Sequence, residues 1–378
     1  MTATVYDVEG RLPGRSHLAG LDHFRLRRAG EVPAETVLGT PSVTLYAFDD
    51  EGKTAVFVET PPGVDLSAAP FYYLAQKEHA ARVYTLPYGT FNALARTLPD
   101  PEHLILLYSV GRCGSTLLCR ALDRLGGTVT LSEPDVYTHI AGMRPRGGSR
   151  DAELTELAGS TARFSCRDKT ARQNPSRILK FRSQCTEMAD LLHKACPNAY
   201  ALFLTRGFAG WMRSMGRLSK IHDPDREASY RRNKPNPTMF GYPRDRYISL
   251  LRADPVPPAT RLEDLALHWT SVTKRFLDLH EHGTIPHSLT YDDLIADPKR
   301  AVLAVAEACH LPAAQLDRAL ETFEHDSQAG THLSGRTLRE QGLHELSDED
   351  LRRAEAVARR YGLEPDVAED LPGNLLRA

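Results

Sequence analysis

Before residue 100, apolar and polar positions alternate in two short runs, "PSVTLYAF" and "TAVFVET". A period of two predicts strands, and the "DDEG" between them predicts a hairpin turn. Pro61 and Pro62 break the run. Residues 70 to 98 read as a helix and a further strand, and "LPDPEH" reads as a linker into the main domain. From His103 the pattern changes. Short apolar runs now alternate with helical stretches: "LILLYSV" then "STLLCRALDRL", "TVTLS", "RILKF" then "CTEMADLLHKA", and "AYALFLT" then a helix from about Phe208. That order predicts a parallel sheet covered by helices.

"TRLEDLALHWTSVTKRFLDLHEHG" continues the alternation. Thr260 and Glu263 have the spacing of a capping box, and Leu262, Leu265, Trp269, Val272, Phe276 and Leu279 share one helical face, which assigns Trp269 to the core. "HSLTY" supplies another strand, "PKRAVLAVAEACHLP" a helix opened by proline, and Ser347 starts the last helix. The stretch from Ile221 to Ile248 is long, polar and irregular, as a lid often is. The expected fold is α/β: a three-layer arrangement of a parallel sheet flanked by helices over residues 101–378, behind a small N-terminal α+β module over residues 1–100.

The chain has 378 residues, a formal net charge of -2, 41% apolar and 25% charged residues. This is ordinary globular composition and points to neither nucleic acid nor membrane as a partner, so any anion site is local. The six cysteines form no CxxC and no cluster, against both a zinc site and a disulfide framework. The N-terminus lacks the apolar core of a signal peptide, and "HLILLYSV" is too short to span a bilayer. The expected setting is a reducing cytoplasm.

The chemistry centres on "YSVGRCGSTLLCRAL", Tyr108 to Leu122. A strand, a glycine-punctuated turn and a helix start aim consecutive N–H groups and a helix dipole at one spot, an anion site whose natural guest is phosphate. Gly111 and Gly114 permit close approach, Arg112 adds a charged donor fork, and Ser115 and Thr116 add hydroxyls. A plain strand-to-helix turn with a serine cap is the bland alternative. A nucleotide triphosphatase loop is disfavoured, because Gly114 directly precedes Ser115 where that motif requires Lys, and "AYALFLTR" ends in Arg206, not an acid.

Arg206 opens "RGFAGWMRS", in which Ser214 lies eight residues on, two helical turns away. At this point the chain resembles the sulfotransferase family, whose donor is 3′-phosphoadenosine 5′-phosphosulfate and whose motifs are a [KR]-x-G-[ST]-T loop and an R-x7-S segment. Arg112 to Thr116 match the first, Arg206 and Ser214 the second. The resemblance runs from about His103 to about Leu311 and includes "LTYDDLIADPKRAVLAVAEACHLP". It implies that the loop Gly111, Arg112, Cys113, Gly114, Ser115, Thr116 and Leu117 holds the 5′-phosphosulfate, while Arg206 and Ser214 hold the ribose 3′-phosphate. Cys113 stands where Ser is commoner, and "TRGF" replaces Arg-Asp-Pro; neither change removes a phosphate ligand.

Sulfuryl transfer needs a base, a neutraliser of the developing charge, and alignment. Where many members place a His two positions after a Lys, this chain has Lys180, Phe181 and Arg182, and an arginine is no base at neutral pH. Tyrosylprotein sulfotransferases resemble this chain in "TLSEPDVYTHI", which makes Glu133 the candidate general base and His139 the runner-up; Glu133 is otherwise a loop carboxylate before Pro134. Lys180 and Arg112 are the candidate charge stabilisers, with Lys169 in "RDKT" competing with Lys180. No metal is expected. Arg206 to Arg246 carries ten Lys or Arg against four Asp or Glu, a net of +6, which either steers a polyanionic donor or is simply solvated. Arg336, in the polar stretch from Asp326 to Leu338, is a minor phosphate candidate. The expected acceptor is a small molecule, and heavy use of Arg over Lys suggests bacterial specialised metabolism. The alternatives are a nucleotide-dependent kinase and a non-catalytic nucleotide-binding regulator.

Overall fold

The structure is a computed structural model that describes residues 1–14, 18–167, 175–232, 238–239, 242–243, 258–325 and 346–377. It is an α/β fold with two five-stranded sheets. The N-terminal strands are β1 (Thr2–Arg11), β2 (Phe24–Pro33), β3 (Val43–Asp49), β4 (Thr54–Glu59) and β5 (Arg82–Pro87). They form an antiparallel sheet in the order β2-β1-β5-β4-β3. The second sheet is parallel and contains β6 (Leu104–Ser109), β7 (Thr128–Ser132), β8 (Ser176–Lys180), β9 (Tyr200–Thr205) and β12 (His287–Thr290), in the order β12-β9-β6-β8-β7. Between β9 and β12 lies a two-residue ladder of β10 (Thr238–Met239) and β11 (Tyr242–Pro243).

The chain divides into two compact units, one of Met1–Leu106 with Val129–Tyr200, the other of Leu107–Thr128 with Ala201–Ala378. In the first, the predicted hairpin forms: Val43 pairs with Glu59 and Asp49 with Thr54, and the Gly52 N–H donates to Asp49 Oδ1 at 3.1 Å across the turn. Strands β1 and β2 carry no alternation strong enough to read in the sequence. The reason is visible at β2, where Phe24 alone is buried and Arg27 meets Asp7 at 2.6 Å on the exposed face. It is an edge strand protected by charge, not one with a clean apolar stripe. On one side of this sheet Phe24, Tyr46, Val56, Val58 and Val83 form a core. Phe57, Phe91 and Phe164 make a second, with ring centroids 5.2 and 5.1 Å from Phe164.

Residues 70 to 98 contain the expected helix (Tyr72–His79) and strand, and a second helix, Tyr88–Ala95. "CTEMADLLHKA" is helical only in its later part, Ala189–Ala195, after a 3-10 turn at Ser183–Met188.

In the second unit β12 pairs in parallel with β9, His287 opposite Leu202 and Thr290 opposite Thr205. The helix Arg261–Glu281 buries Trp269 and Phe276, and Phe276 stacks on Phe203 with centroids 4.2 Å apart. Its cap is half the predicted box: the Thr260 side chain accepts the Glu263 N–H, while the Glu263 carboxylate accepts from Ala259 N–H at 2.6 Å, one residue earlier than expected. Ser347 and Asp350 form the complete box. Within the predicted lid a helix, Pro224–Arg232, buries none of its residues; apart from β10 and β11, the stretch beyond Arg232 and the Asp326 to Leu338 segment lie outside the described residues. No described helix is long and apolar enough to cross a membrane.

Candidate functional site

The fully buried strand β6 ends at Ser109 and the helix Ser115–Leu125 begins six residues later. Between them Gly111 (φ 75°), Arg112 (φ 52°) and Gly114 (φ 80°) all occupy the left-handed region. A Cβ on Gly114 would lie 2.8 Å from Tyr291 Cδ2, so glycine is required there twice, by conformation and by space. At Gly111 a Cβ would meet nothing within 4 Å, so only the conformation restricts it. The turn is held from below: Trp211 Nε1 donates to the Val110 carbonyl at 3.1 Å and the Gly111 carbonyl at 2.9 Å. Ser109 Oγ accepts the Gly111 N–H at 3.2 Å. Cys113 and Ser115 are buried, and Thr116 and Leu117 are half-buried. With the Val110 and Gly111 carbonyls tied to Trp211, the turn leads into the N-terminus of an eleven-residue helix, a place that favours an anion.

Arg206 directly follows β9, and Ser214 lies on the next helix, Phe208–Ser219. The structure brings both to the turn. Arg112 Nε donates to Ser214 Oγ at 3.3 Å, and Arg206 Nη1 donates to the Arg112 carbonyl at 3.4 Å. The Arg206 guanidinium lies 4.4 Å from the Tyr291 ring centroid, a stacked cation that fixes the plane of the fork. Trp269, assigned to the core by its helical face, is fully buried and also donates through Nε1 to the Arg206 carbonyl at 3.3 Å. Arg206 Nε is buried and has no hydrogen-bond partner among the described residues. A buried donor left without an acceptor is costly, so an arriving anion would satisfy it; the residues fit a phosphate-bearing group.

Glu133 follows β7 with φ 58°, a strained position for a residue with a side chain. Its N–H donates to the Lys180 carbonyl at 2.7 Å, and its Oε1 accepts from Lys180 Nζ at 2.6 Å. Lys180 also reaches Ser132 Oγ at 3.3 Å. Two of three ammonium donors are thereby used. Arg182 Nε lies 3.7 Å from Glu133 Oε2 and 3.1 Å from Asp135 Oδ1. Burial pushes the Asp135 carboxyl above its ordinary value against the opposing pull of Arg182. His139 Nε2 pairs with the Ala19 carbonyl at 2.7 Å, and burial lowers its pKa to about 4. Lys169 and Arg336 lie outside the described residues.

Five side chains of these two clusters were not assigned a role from sequence: Trp211, Tyr291, Asp135, Arg182 and Tyr73, whose ring centroid lies 4.3 Å from the Arg182 guanidinium. A signal existed for Trp211, which follows Arg206 by five residues on the helix that carries Ser214. Tyr291 follows β12 at the carboxyl end of a parallel strand, where ligands gather. Nothing local marks Tyr73. Among the described residues no group of three or more His, Cys, Asp or Glu is placed to hold a metal ion.

No family model matches the chain, and no curated protein matches it. Among solved structures it is similar to a sulfotransferase from Alicyclobacillus acidocaldarius, at 14% identity and a TM-score of 0.30 over 68% of this chain and 96% of that one. It is also similar to retinol dehydratase in complex with androsterone and the inactive cofactor PAP, at 12% identity, a TM-score of 0.33, and 84% and 96% of the two chains. The same protein in a complex with retinol and PAP gives 13% identity and a TM-score of 0.32, again over 84% and 96%. At these values the likeness decides nothing about chemistry, which rests on this chain's own residues.

Proposed function

We propose that this protein is a sulfotransferase that moves a sulfuryl group from 3′-phosphoadenosine 5′-phosphosulfate to a hydroxyl or amine of a small-molecule acceptor. One observation carries the reading. Arg112, Arg206 and Ser214 belong to two sequence segments about a hundred residues apart; they meet through contacts of 3.3 and 3.4 Å, and the buried Arg206 Nε has no hydrogen-bond partner among the described residues. A lone phosphate turn needs no second segment of this kind; a ligand with phosphates at both ends of a nucleoside does.

On this reading the residues from Gly111 to Leu117 hold the 5′-phosphosulfate by backbone N–H groups and hydroxyls, and Arg206 and Ser214 hold the 3′-phosphate. The donor supplies the sulfuryl group. Glu133 takes the acceptor proton, and its fixed backbone and paired Oε1 hold the carboxylate in one orientation. Lys180 keeps its third donor for the oxygen that leaves with the phosphate, and Arg112 neutralises the same charge. No step requires a metal, and the six free cysteines suit a reducing compartment.

The test is thermal unfolding with adenosine 3′,5′-bisphosphate, adenosine 5′-phosphate, or ATP with magnesium. A ligand at about 100 times its Kd adds about 2.7 kcal/mol to stability. Selective stabilisation by the bisphosphate is expected, followed by sulfuryl transfer in an acceptor screen. Stabilisation by ATP with magnesium alone would replace the reading with that of a kinase, and donor binding without transfer to any acceptor class would favour a regulator.

A further inference from the structure

Arg182 occupies the position at which a histidine base was sought, and its surroundings give it other work. Its Nε lies 3.1 Å from Asp135 Oδ1 and 3.7 Å from Glu133 Oε2, and its guanidinium carbon lies 4.3 Å from the centroid of Tyr73. The Asp135 side chain is wholly buried and that of Arg182 is 11% exposed. Such a cation has little freedom to move. Asp135 is itself anchored, because its Oδ2 accepts the Ala19 N–H at 2.8 Å. One helical turn along the same helix, Asp135–Met143, His139 Nε2 takes the Ala19 carbonyl. Two side chains spaced i and i+4 thus grip both backbone groups of one N-terminal residue. The chain of contacts runs from Ala19 through Asp135 and Arg182 to Glu133.

We infer that Arg182 is a positioning residue, paired by charge with Asp135 and set against the Tyr73 ring, which orients one oxygen of the Glu133 carboxylate while Lys180 binds the other. The inference rests on the proposed role of Glu133. Oε1 is committed to Lys180 at 2.6 Å, whereas Oε2 faces Arg182 at 3.7 Å, beyond hydrogen-bond length. Oε2 therefore keeps its lone pairs for an acceptor proton and is the oxygen whose direction matters. The N-terminal segment gains a function through Ala19 and Tyr73: it holds the group that orients the base, without touching a reactant.

The experiment is a double-mutant cycle of Arg182→Ala and Glu133→Gln, with adenosine 3′,5′-bisphosphate affinity measured in every variant. Arg182→Ala is expected to lower kcat roughly ten- to a hundredfold, the range for a misplaced catalytic group, with affinity for the bisphosphate unchanged. Added to Glu133→Gln it should cost nothing further, because the carboxylate it orients is gone. An equal loss in both backgrounds, or weakened bisphosphate binding, overturns the inference. Arg182→Lys, which keeps charge but not the stacked plane, gives a partial loss and covers the case in which alanine does not fold. A second readout does not depend on turnover: the carboxyl carbon-13 resonance of Glu133, identified by its absence in Glu133→Gln, should move in Arg182→Ala and Arg182→Lys. An unmoved resonance ends the positioning role. A moved resonance in a protein that transfers no sulfuryl group leaves the contact standing and removes the proposed function.

Discussion

The turn after β6 is shaped by its backbone, through three positive φ angles steadied by Trp211. The surroundings of Glu133 are shaped by side chains, Lys180, Arg182 and Asp135, each held by another charge or by the Tyr73 ring. A backbone-built site is specified within a few consecutive residues, because conformation is a local property. A charge cluster is specified only when distant segments fold together, since no member fixes its own orientation. The first therefore leans on few distant partners, Trp211 and Tyr291 among them, and the second depends on every partner.

The largest expected effect falls on the charge cluster. Glu133→Gln should lower kcat by about a hundredfold or more, the range for a lost general base, while binding of adenosine 3′,5′-bisphosphate in the other region stays as it was. Near-normal kcat would move the base to His139 and break the comparison at its root. Next, Arg206→Ala should weaken the bisphosphate roughly ten- to a hundredfold, as for a lost charge-assisted hydrogen bond. Adenosine 5′-phosphate should bind nearly as before; calorimetric titration showing equal weakening of both ligands would remove the 3′-phosphate assignment.

The two glycines of the turn separate conformation from space. Alanine in a left-handed position costs about 1–2 kcal/mol, and Gly111→Ala should show that cost alone in denaturant unfolding. Gly114→Ala should cost more, because its Cβ runs into Tyr291 at 2.8 Å. Equal losses would mean that the ring simply moves aside. The last effect is one of pH and is shared by both regions. Burial lowers the pKa of His139, on the helix after Glu133, and that of His268, on the helix that carries Trp269, to about 4 from 6.5. Each binds a proton more readily when unfolded. Their stabilising contribution is whole above pH 6.5 and is lost as the pH falls through 4. Unfolding midpoints that stay flat between pH 7 and pH 4.5 would contradict this.

The strands β6, β7, β8, β9 and β12 and the Phe208 helix were legible because buried parallel strands are short apolar runs and the helices between them show a 3.6-residue period. The loop from Gly111 to Leu117 was legible as an anion turn because glycine spacing is a local fact, whereas Arg206 and Ser214 were nominated through the resemblance to sulfotransferases. Glu133 was nominated through the resemblance and Lys180 from its place at the end of an apolar strand, but their mutual contact at 2.6 Å could not be read, since 47 residues separate them. Strands β1 and β2 escaped notice because an exposed, arginine-bearing edge has no apolar alternation to read.

The sequence by itself determined the strand-helix order, the glycine turn and the residues able to meet a phosphate, because propensity, turn conformation and hydrophobic period act over a few neighbours. Only the tertiary structure decided that Arg112 meets Ser214, that Trp211 and Trp269 brace the backbone of Gly111 and Arg206, and that Ala19, Asp135 and Arg182 lead to Glu133. It also decided that residues 129–200 form one unit with the N-terminal sheet. Those are pairings between groups far apart in the chain, and their free energy exists only after burial has removed water as the competing partner.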